Sequence, residues 1–198
     1  MTPPSQRQAN RPAKIAQIII GIDPGTVVTG WGVVEAVGSS LSCIAHGTIA
    51  TAGTHGQGDR LSLIYRGIHE VIKSYKPDGI SLEQVFFARN AQSALKLGQA
   101  RGVALLAAAH HGVGVHEYAA AEIKVAVVGY GRATKEQVQR MVGSLLKVTE
   151  KIPTDAADAL AVAICHLHRQ SFQARILEAA SEASWTERRR KTSLSFVK

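Results

Sequence analysis

Gln17-Ile18-Ile19-Ile20-Gly21-Ile22-Asp23-Pro24-Gly25 joins a β-branched apolar run to an acid and a turn dipeptide. Branched side chains suit a pleated, buried strand, and Pro-Gly ends it. This run, strand-like over 15–22, is followed by two more at 30–37 and 41–51. The turns between them, Asp23-Pro24-Gly25 and Gly38-Ser39-Ser40, are short, so three consecutive antiparallel strands are predicted. Beyond them the pattern alternates. Leu61, Leu63, Ile64, Ile68, Val71 and Ile72 share one helical face and predict an amphipathic helix over 58–75, stopped near Pro77. A short strand over 79–85, a long Ala-rich helix over 90–111 and a strand over 113–118 follow. Helices over 120–127, 134–147 and 154–168 complete the pattern. Strands first, then helices alternating with strands, predict an α/β domain with a mixed sheet flanked by helices.

The chain has 198 residues, enough for one domain with a sizeable core, and 45% of them are apolar. Three parts are expected: a disordered extension at 1–14, a domain at 15–170, and a basic, flexible tail at 171–198. The net charge is +8. The first part holds Arg7, Arg11 and Lys14 and no acid, and the tail contains Arg188-Arg189-Arg190-Lys191. A basic surface attracts phosphates. Cys43 and Cys165 lie in apolar runs without zinc spacing and read as small buried hydrophobes, consistent with a reducing cytoplasm. Cys165-His166-Leu167-His168 reads as a helix end rather than a ligand set. The polar, Pro-rich start is not a secretory signal, and no apolar run is long enough to span a membrane. Ala94, Gly98 and Gly102 recur every four residues, a small ridge suited either to core packing or to a subunit contact.

Four carboxylates stand out. Asp23 ends the first strand run. Glu83 follows Gly79-Ile80-Ser81-Leu82. Asp155 and Asp158 lie in Thr154-Asp155-Ala156-Ala157-Asp158, three apart and so on one face of a helix turn. Clustered carboxylates repel unless cations bridge them, and hard oxygen ligands suit Mg²⁺ or Mn²⁺. Such a site could carry out metal-assisted displacement at phosphorus. Each acid also has a plain reading. Asp23 could form a turn, Glu83 could pair with a surface lysine, and Asp155 could cap a helix. Asp158, among alanines, is hardest to explain that way.

The stretches IIIGIDPGTVVTGWGVVE (18–35), SLEQVFFARNAQSALKLGQARGVALLAA (81–108), EYAAAEIKVAVVGYGRATKEQVQRMV (117–142) and PTDAADALAVAICH (153–166) together resemble the RuvC family of Holliday-junction resolvases. The resemblance spans about 17–170 and implies an RNase H-like fold with a mixed five-stranded sheet. It implies a homodimeric, Mg²⁺-dependent endodeoxyribonuclease, with Mn²⁺ substituting and two ions per subunit when DNA is bound. Such an enzyme places symmetric paired nicks in four-way junctions, leaving 5′-phosphate and 3′-hydroxyl ends, in recombination and DNA repair. The implied partners are junction DNA, a second copy and the branch-migration proteins RuvA and RuvB, in a bacterial cytoplasm.

The family's four acids fall on Asp23, Glu83, Asp155 and Asp158; some members carry His where this chain has Asp155. Phe86 matches an aromatic that stacks on a base near the cut, since an exposed ring can replace base stacking. Phe86 and Phe87 would face opposite ways on an extended chain, and which is exposed stays open. Lys124 and Lys135 match basic residues near the active site, where a lysine can offset charge at the transition state. Arg89, Asn90, Lys96 and Arg132 read as backbone contacts that position DNA without reading its sequence. Two other readings stand beside this one. Asp23-Pro24-Gly25-Thr26 before Gly30 resembles the phosphate loop of actin-like ATPases and sugar kinases, although the chain has room for only one such subdomain. A junction-binding protein without nuclease activity would leave four intact acids unexplained.

Overall fold

The isoleucine run forms β1 (Ala16–Asp23), and the next two runs form β2 (Val28–Val37) and β3 (Ser40–Ala50). The structure, a computed structural model, describes residues 16–54, 56–84 and 91–195, with side chains through Ser181. The remaining elements are α1 (Gln57–Tyr75), β4 (Gly79–Glu83), α2 (Ala91–His110), β5 (Val115–Tyr118), α3 (Ala120–Val128), α4 (Lys135–Leu146) and α5 (Thr154–Ser195). The sheet order is β3-β2-β1-β4-β5. β1 pairs antiparallel with β2, and β2 with β3; β4 lies parallel to both β1 and β5. The expected mixed five-stranded sheet is therefore present. The antiparallel half needs only tight turns. The parallel half needs crossovers, which α1 and α2 supply.

Alternation along the strands divides the core in two. Ile20 and Ile22 of β1, Val33 of β2 and Ile80 and Leu82 of β4 pack with Ile64, Ile68 and Ile72 of α1 and with the α2 alanines 100, 104, 107 and 108. On the other face, Ile19 and Val34 pack with Val127 of α3, Val142 of α4 and Leu160 and Ile164 of α5. Residues 19, 21 and 23 of β1 thus face α5, as do 79, 81 and 83 of β4.

α5 lies directly on the sheet because glycines admit it. A Cβ at Gly21 would sit 1.8 Å from the carbonyl oxygen of Ala159, and one at Gly30 would sit 1.9 Å from that of Asp155. At Gly32 the Leu160 side chain fills the space, 2.5 Å from where a Cβ would be. No side chain fits between backbone and backbone at such separations, so the helix axis is fixed by two strands at once.

Two expectations are corrected. The helix expected to end near His168 runs on to Ser195, so residues 171–195 continue α5. Nothing from 154 to 195 is Gly or Pro, and alanines are frequent, so nothing local stops the helix. Consequently Cys165-His166-Leu167-His168 lies within a helix, not at its end. Of the two readings left open for the small ridge on α2, core packing is not seen: among the described residues a Cβ at Gly98 or Gly102 would meet nothing within 4 Å.

Gly30→Ala should lower stability in urea by about 3 kcal/mol, the upper part of the usual overpacking range. Gly58→Ala, where a Cβ meets nothing within 4 Å, should instead gain up to about 1 kcal/mol from helix propensity. Equal effects at the two positions would show that α5 can ride up from the sheet without loss.

Candidate active site

β1 and β4 are parallel and in register at Ile22 and Leu82, so Asp23 and Glu83 follow at matching positions on neighbouring strands. Both face α5. Asp23 is paired across the antiparallel ladder with Gly30, the residue whose missing Cβ leaves room for the backbone of Asp155. The first turn of α5 therefore stands over the ends of β1 and β2, and Asp158, one turn further on, reaches toward β1 and β4. The structure brings the four sequence-predicted acids into one electrostatic cluster.

That cluster is under strain from its own charge. Burial pushes the Asp23 carboxyl up to about 7, and repulsion from Asp158, Glu83 and Asp155 adds to the rise. Glu83 is also raised, first by burial and then by Asp158, while Lys135 and Lys124 pull it down. Lys135 Nζ lies 2.6 Å from Asp158 Oδ2. Its pKa is raised, chiefly by that hydrogen bond and then by Asp158, Asp23 and Asp155. A capping box holds Lys135 at the first residue of α4. Thr134 Oγ1 accepts from Gln137 N at 3.3 Å, and Gln137 Oε1 accepts from Thr134 N at 2.8 Å.

Side chains outside the expected set fix the acids in place. The turn after Asp23 is tied by buried threonines: Thr29 Oγ1 donates to Gly25 O at 2.8 Å, and Thr51 Oγ1 donates to Thr26 O at 2.7 Å. Arg101 of α2 donates from Nη1 to the Glu83 carbonyl oxygen at 3.0 Å and pairs with Glu117 of β5. Tyr118 lies in register beside Glu83, and its hydroxyl is 2.8 Å from Nδ1 of buried His166. Burial and then His116 push His166 down to about 4, so this contact joins two neutral groups at neutral pH. In the sequence only side-chain-to-backbone turn chemistry hinted at the threonines. Nothing local marked Arg101, whose partners are 16 and 18 residues away.

The remaining expected residues are placed less centrally. Lys124 lies on α3 within electrostatic reach of Glu83. Arg132 is exposed in the loop before α4. Lys96 is exposed on α2, on the far side of the sheet from α5. Phe86, Arg89 and Asn90 lie outside the described residues.

The donor set suits a hard divalent cation: it is all oxygen, and burial and repulsion raise the Asp23 carboxyl more than Lys135 lowers it, a rise that a bound cation would reverse. Among the described residues, no three His, Cys, Asp or Glu side chains stand as a ready coordination cage. The electrostatic coupling and the missing cage are compatible, because Asp158 is held by Lys135.

A mixed sheet in this order, with four acids gathered where a helix crosses two neighbouring strand ends, is the arrangement of metal-dependent nucleases with an RNase H-like fold. The family profile described as "Crossover junction endodeoxyribonuclease RuvC" matches residues 19–166. A protein of that name from Pseudomonas fluorescens is 53% identical over 154 residues, covering 78% of this chain and 88% of its own length. The structure of T. thermophilus RuvC in complex with Holliday junction substrate superposes with a TM-score of 0.76 at 33% identity, covering 79% of this chain and 96% of that one. The yeast mitochondrial Holliday junction resolvase Ydc2 shares the fold, with a TM-score of 0.60 at 11% identity over 84% of this chain and 85% of its own. The chain belongs to the RuvC family of crossover junction endodeoxyribonucleases, and as a family nuclease it uses divalent metal.

The charge cluster has a measurable consequence in metal-free protein. With its folded pKa near 7 and its unfolded value near 3.8, Asp23 binds a proton more tightly in the folded state. Its unfavourable contribution is absent below about pH 4, grows as pH rises toward 7 and is constant above. Asp23→Asn in EDTA should therefore raise stability at pH 8 by an amount on the order of 2 kcal/mol, and by less at pH 5. Thermal unfolding at the two pH values measures this, and an equal shift at both would remove the electrostatic account.

Proposed function

We propose that the chain resolves Holliday junctions by metal-assisted phosphodiester hydrolysis, with Asp23, Glu83, Asp155 and Asp158 as ligands for two Mg²⁺ ions, Mn²⁺ substituting. The observation that carries this is the convergence of Asp23 and Glu83, at matching ends of parallel strands, with Asp155 and Asp158 on the α5 turn packed against Gly30, in a chain of net charge +8. Bound cations would activate water and offset charge on the leaving 3′ oxygen, giving 5′-phosphate and 3′-hydroxyl ends. Lys135 then has a second task. Were Asp158 to hold a cation, the Lys135 ammonium beside it would be free to bind a phosphate oxygen of the cut strand. Lys124, on the Glu83 side, supplies a second cationic contact. Thr29 and Thr51 keep Asp23 aimed, and Arg101 keeps the end of β4 in place. Phe86, Arg89, Asn90, Lys96 and Arg132 are carried forward as DNA contacts, with Phe86 as the stacking ring.

Two nicks across one junction call for two active sites, and a homodimer supplies them. α2 offers a face for the second copy. Leu95 is 69% exposed and Leu106 49%, and Gly98 and Gly102 lie open between them. Glycine inside a helix costs about 1 kcal/mol relative to alanine, and among the described residues no packing demands it there. Close approach of a second helix would account for both glycines and leucines. RuvA and RuvB are the proposed branch-migration partners, on the strength of the family resemblance. Among the described residues no helix is long and apolar enough to cross a membrane, and work on chromosomal junctions suits the cytoplasm.

A mobile synthetic four-way junction and a matched duplex test the site. Mg²⁺-dependent paired nicks in the junction alone, lost in Asp23→Asn and Asp158→Asn while junction binding survives, are the expected result. Loss of binding together with cutting would make these acids structural. For the dimer, Leu95→Glu combined with Leu106→Glu should halve the mass seen by sedimentation and uncouple the two nicks. An unchanged mass would move the interface away from α2.

A further inference from the structure

A cleft of about 320 Å³ opens on the α1/α2 side of the sheet, between the β1–β2 turn and the first turns of α1 and α2. That volume is at the small end of the usual range for ligand clefts, about 300–1,000 Å³, and suits a single ring-bearing unit. Its floor is apolar: Val27, 60% exposed, lies beside Leu61 and fully buried Ile64. Its rim is polar. Gln57 Nε2 donates to Gln99 Oε1, leaving an acceptor on Gln57 and a donor on Gln99 for a ligand. Arg60 and Lys96 add two cations, and among the described residues neither forms an ion pair with a carboxylate. One Arg60 nitrogen donates weakly to Thr54 O at 3.4 Å, which leaves most of the guanidinium fork to the cleft.

The cleft also has a fixed relation to the acids. Thr26, on its wall, follows Asp23 by three residues, and three residues span at most about 10 Å. The acids face α5 and the cleft opens on the α1/α2 side, so a strand that reaches both passes around the end of β1 within a few nucleotides of the cut. The turn joining the two places is tied by Thr29 and Thr51, so the spacing is rigid.

An apolar floor matches the face of a base. An adjacent amide donor and acceptor match a base edge, as glutamine does when it reads a base. Two cations match the flanking phosphates. We infer that this cleft takes one unstacked nucleotide of the cut strand and reads its base through Gln57 and Gln99, making it a sequence-selecting subsite. Its role in choosing the cut rests on the reading of the four acids as the cutting site. A base lifted from the stack is least costly where a junction is already open, so the subsite would sense both branch point and sequence.

Two measurements on the full chain test the inference. In the first, junctions carry 2-aminopurine singly at each of the three positions on either side of the cut, and binding is followed in EDTA. Fluorescence at one position should rise several-fold with the wild type, as that base leaves the stack. In the second, junctions randomised at those positions are cut with Mg²⁺ and the ends are sequenced. The wild type should show a preference at the same position. Gln57→Ala with Gln99→Ala should flatten it by about tenfold, the discrimination of one well-placed base contact. Arg60→Ala with Lys96→Ala should weaken junction binding and lower its salt slope by about one to two. A junction in which no position brightens overturns the inference, as does a wild type without preference there, or a preference untouched by the amide substitutions. If the wild type makes no Mg²⁺-dependent nicks at all, the four-acid reading fails, and the fluorescence arm still decides whether the cleft takes a base.

Discussion

Everything at the active site depends on how closely α5 approaches the sheet. Gly21 and Gly30 let the helix backbone rest where side chains would normally stand. Helices usually pack on sheets through side chains, and that spacing would hold Asp155 and Asp158 well away from Asp23 and Glu83. Removing two Cβ atoms places the helix turn and both strand ends around one small volume. The glycines of β1 and β2 are thus as much a part of the site as the acids. Their contribution is distance rather than chemistry.

The same closeness is electrostatically unfavourable. Four carboxylates share a partly buried space, and Asp23 responds by holding its proton to about pH 7. Lys135 relieves part of the strain through Asp158, and the capping box at Thr134 keeps the lysine there. Such strain destabilises the metal-free fold and raises the affinity for any cation that enters, since binding removes repulsion along with solvation. A chain of net charge +8 with four acids gathered in one pocket suits two separate recognition tasks. Long-range attraction favours a polyanion, and short-range repulsion within the pocket favours a cation.

Much of this was legible in the sequence, for identifiable reasons. Strand periodicity and turn chemistry give the order of β1, β2 and β3, and the spacing of Ile64, Ile68 and Ile72 gives α1. Asp23 and Glu83 were visible because each ends an apolar run, and Asp155 and Asp158 because acids three apart in an alanine helix need a reason. Long-range partners were hidden. Arg101 meets Glu83 and Glu117 only after α2 has crossed the sheet, and Thr51 meets Thr26 across 25 residues. The length of α5 is readable, since residues 154–195 contain no helix breaker, and helix propensity outweighs the polarity of the last half. The fate of the α2 ridge was undecidable from its pattern, because small residues every four positions look the same packed or open.

α2 draws these features together. Its inner stripe of alanines lets it lie close over Ile20, Ile22, Ile80 and Leu82. Arg101, on its flank, holds the main chain of Glu83. Lys96 and Gln99 line the cleft near the β1–β2 turn, and Leu95, Gly98, Gly102 and Leu106 form its open side. A rigid helix that touches the Glu83 strand, the cleft and an outer apolar face couples the three. Covering the open side with a second helix would restrain Arg101, and through it Glu83, in both copies together. Two cuts that must be paired to be useful would then share one mechanical element, with the junction's symmetry matched by that of the subunits.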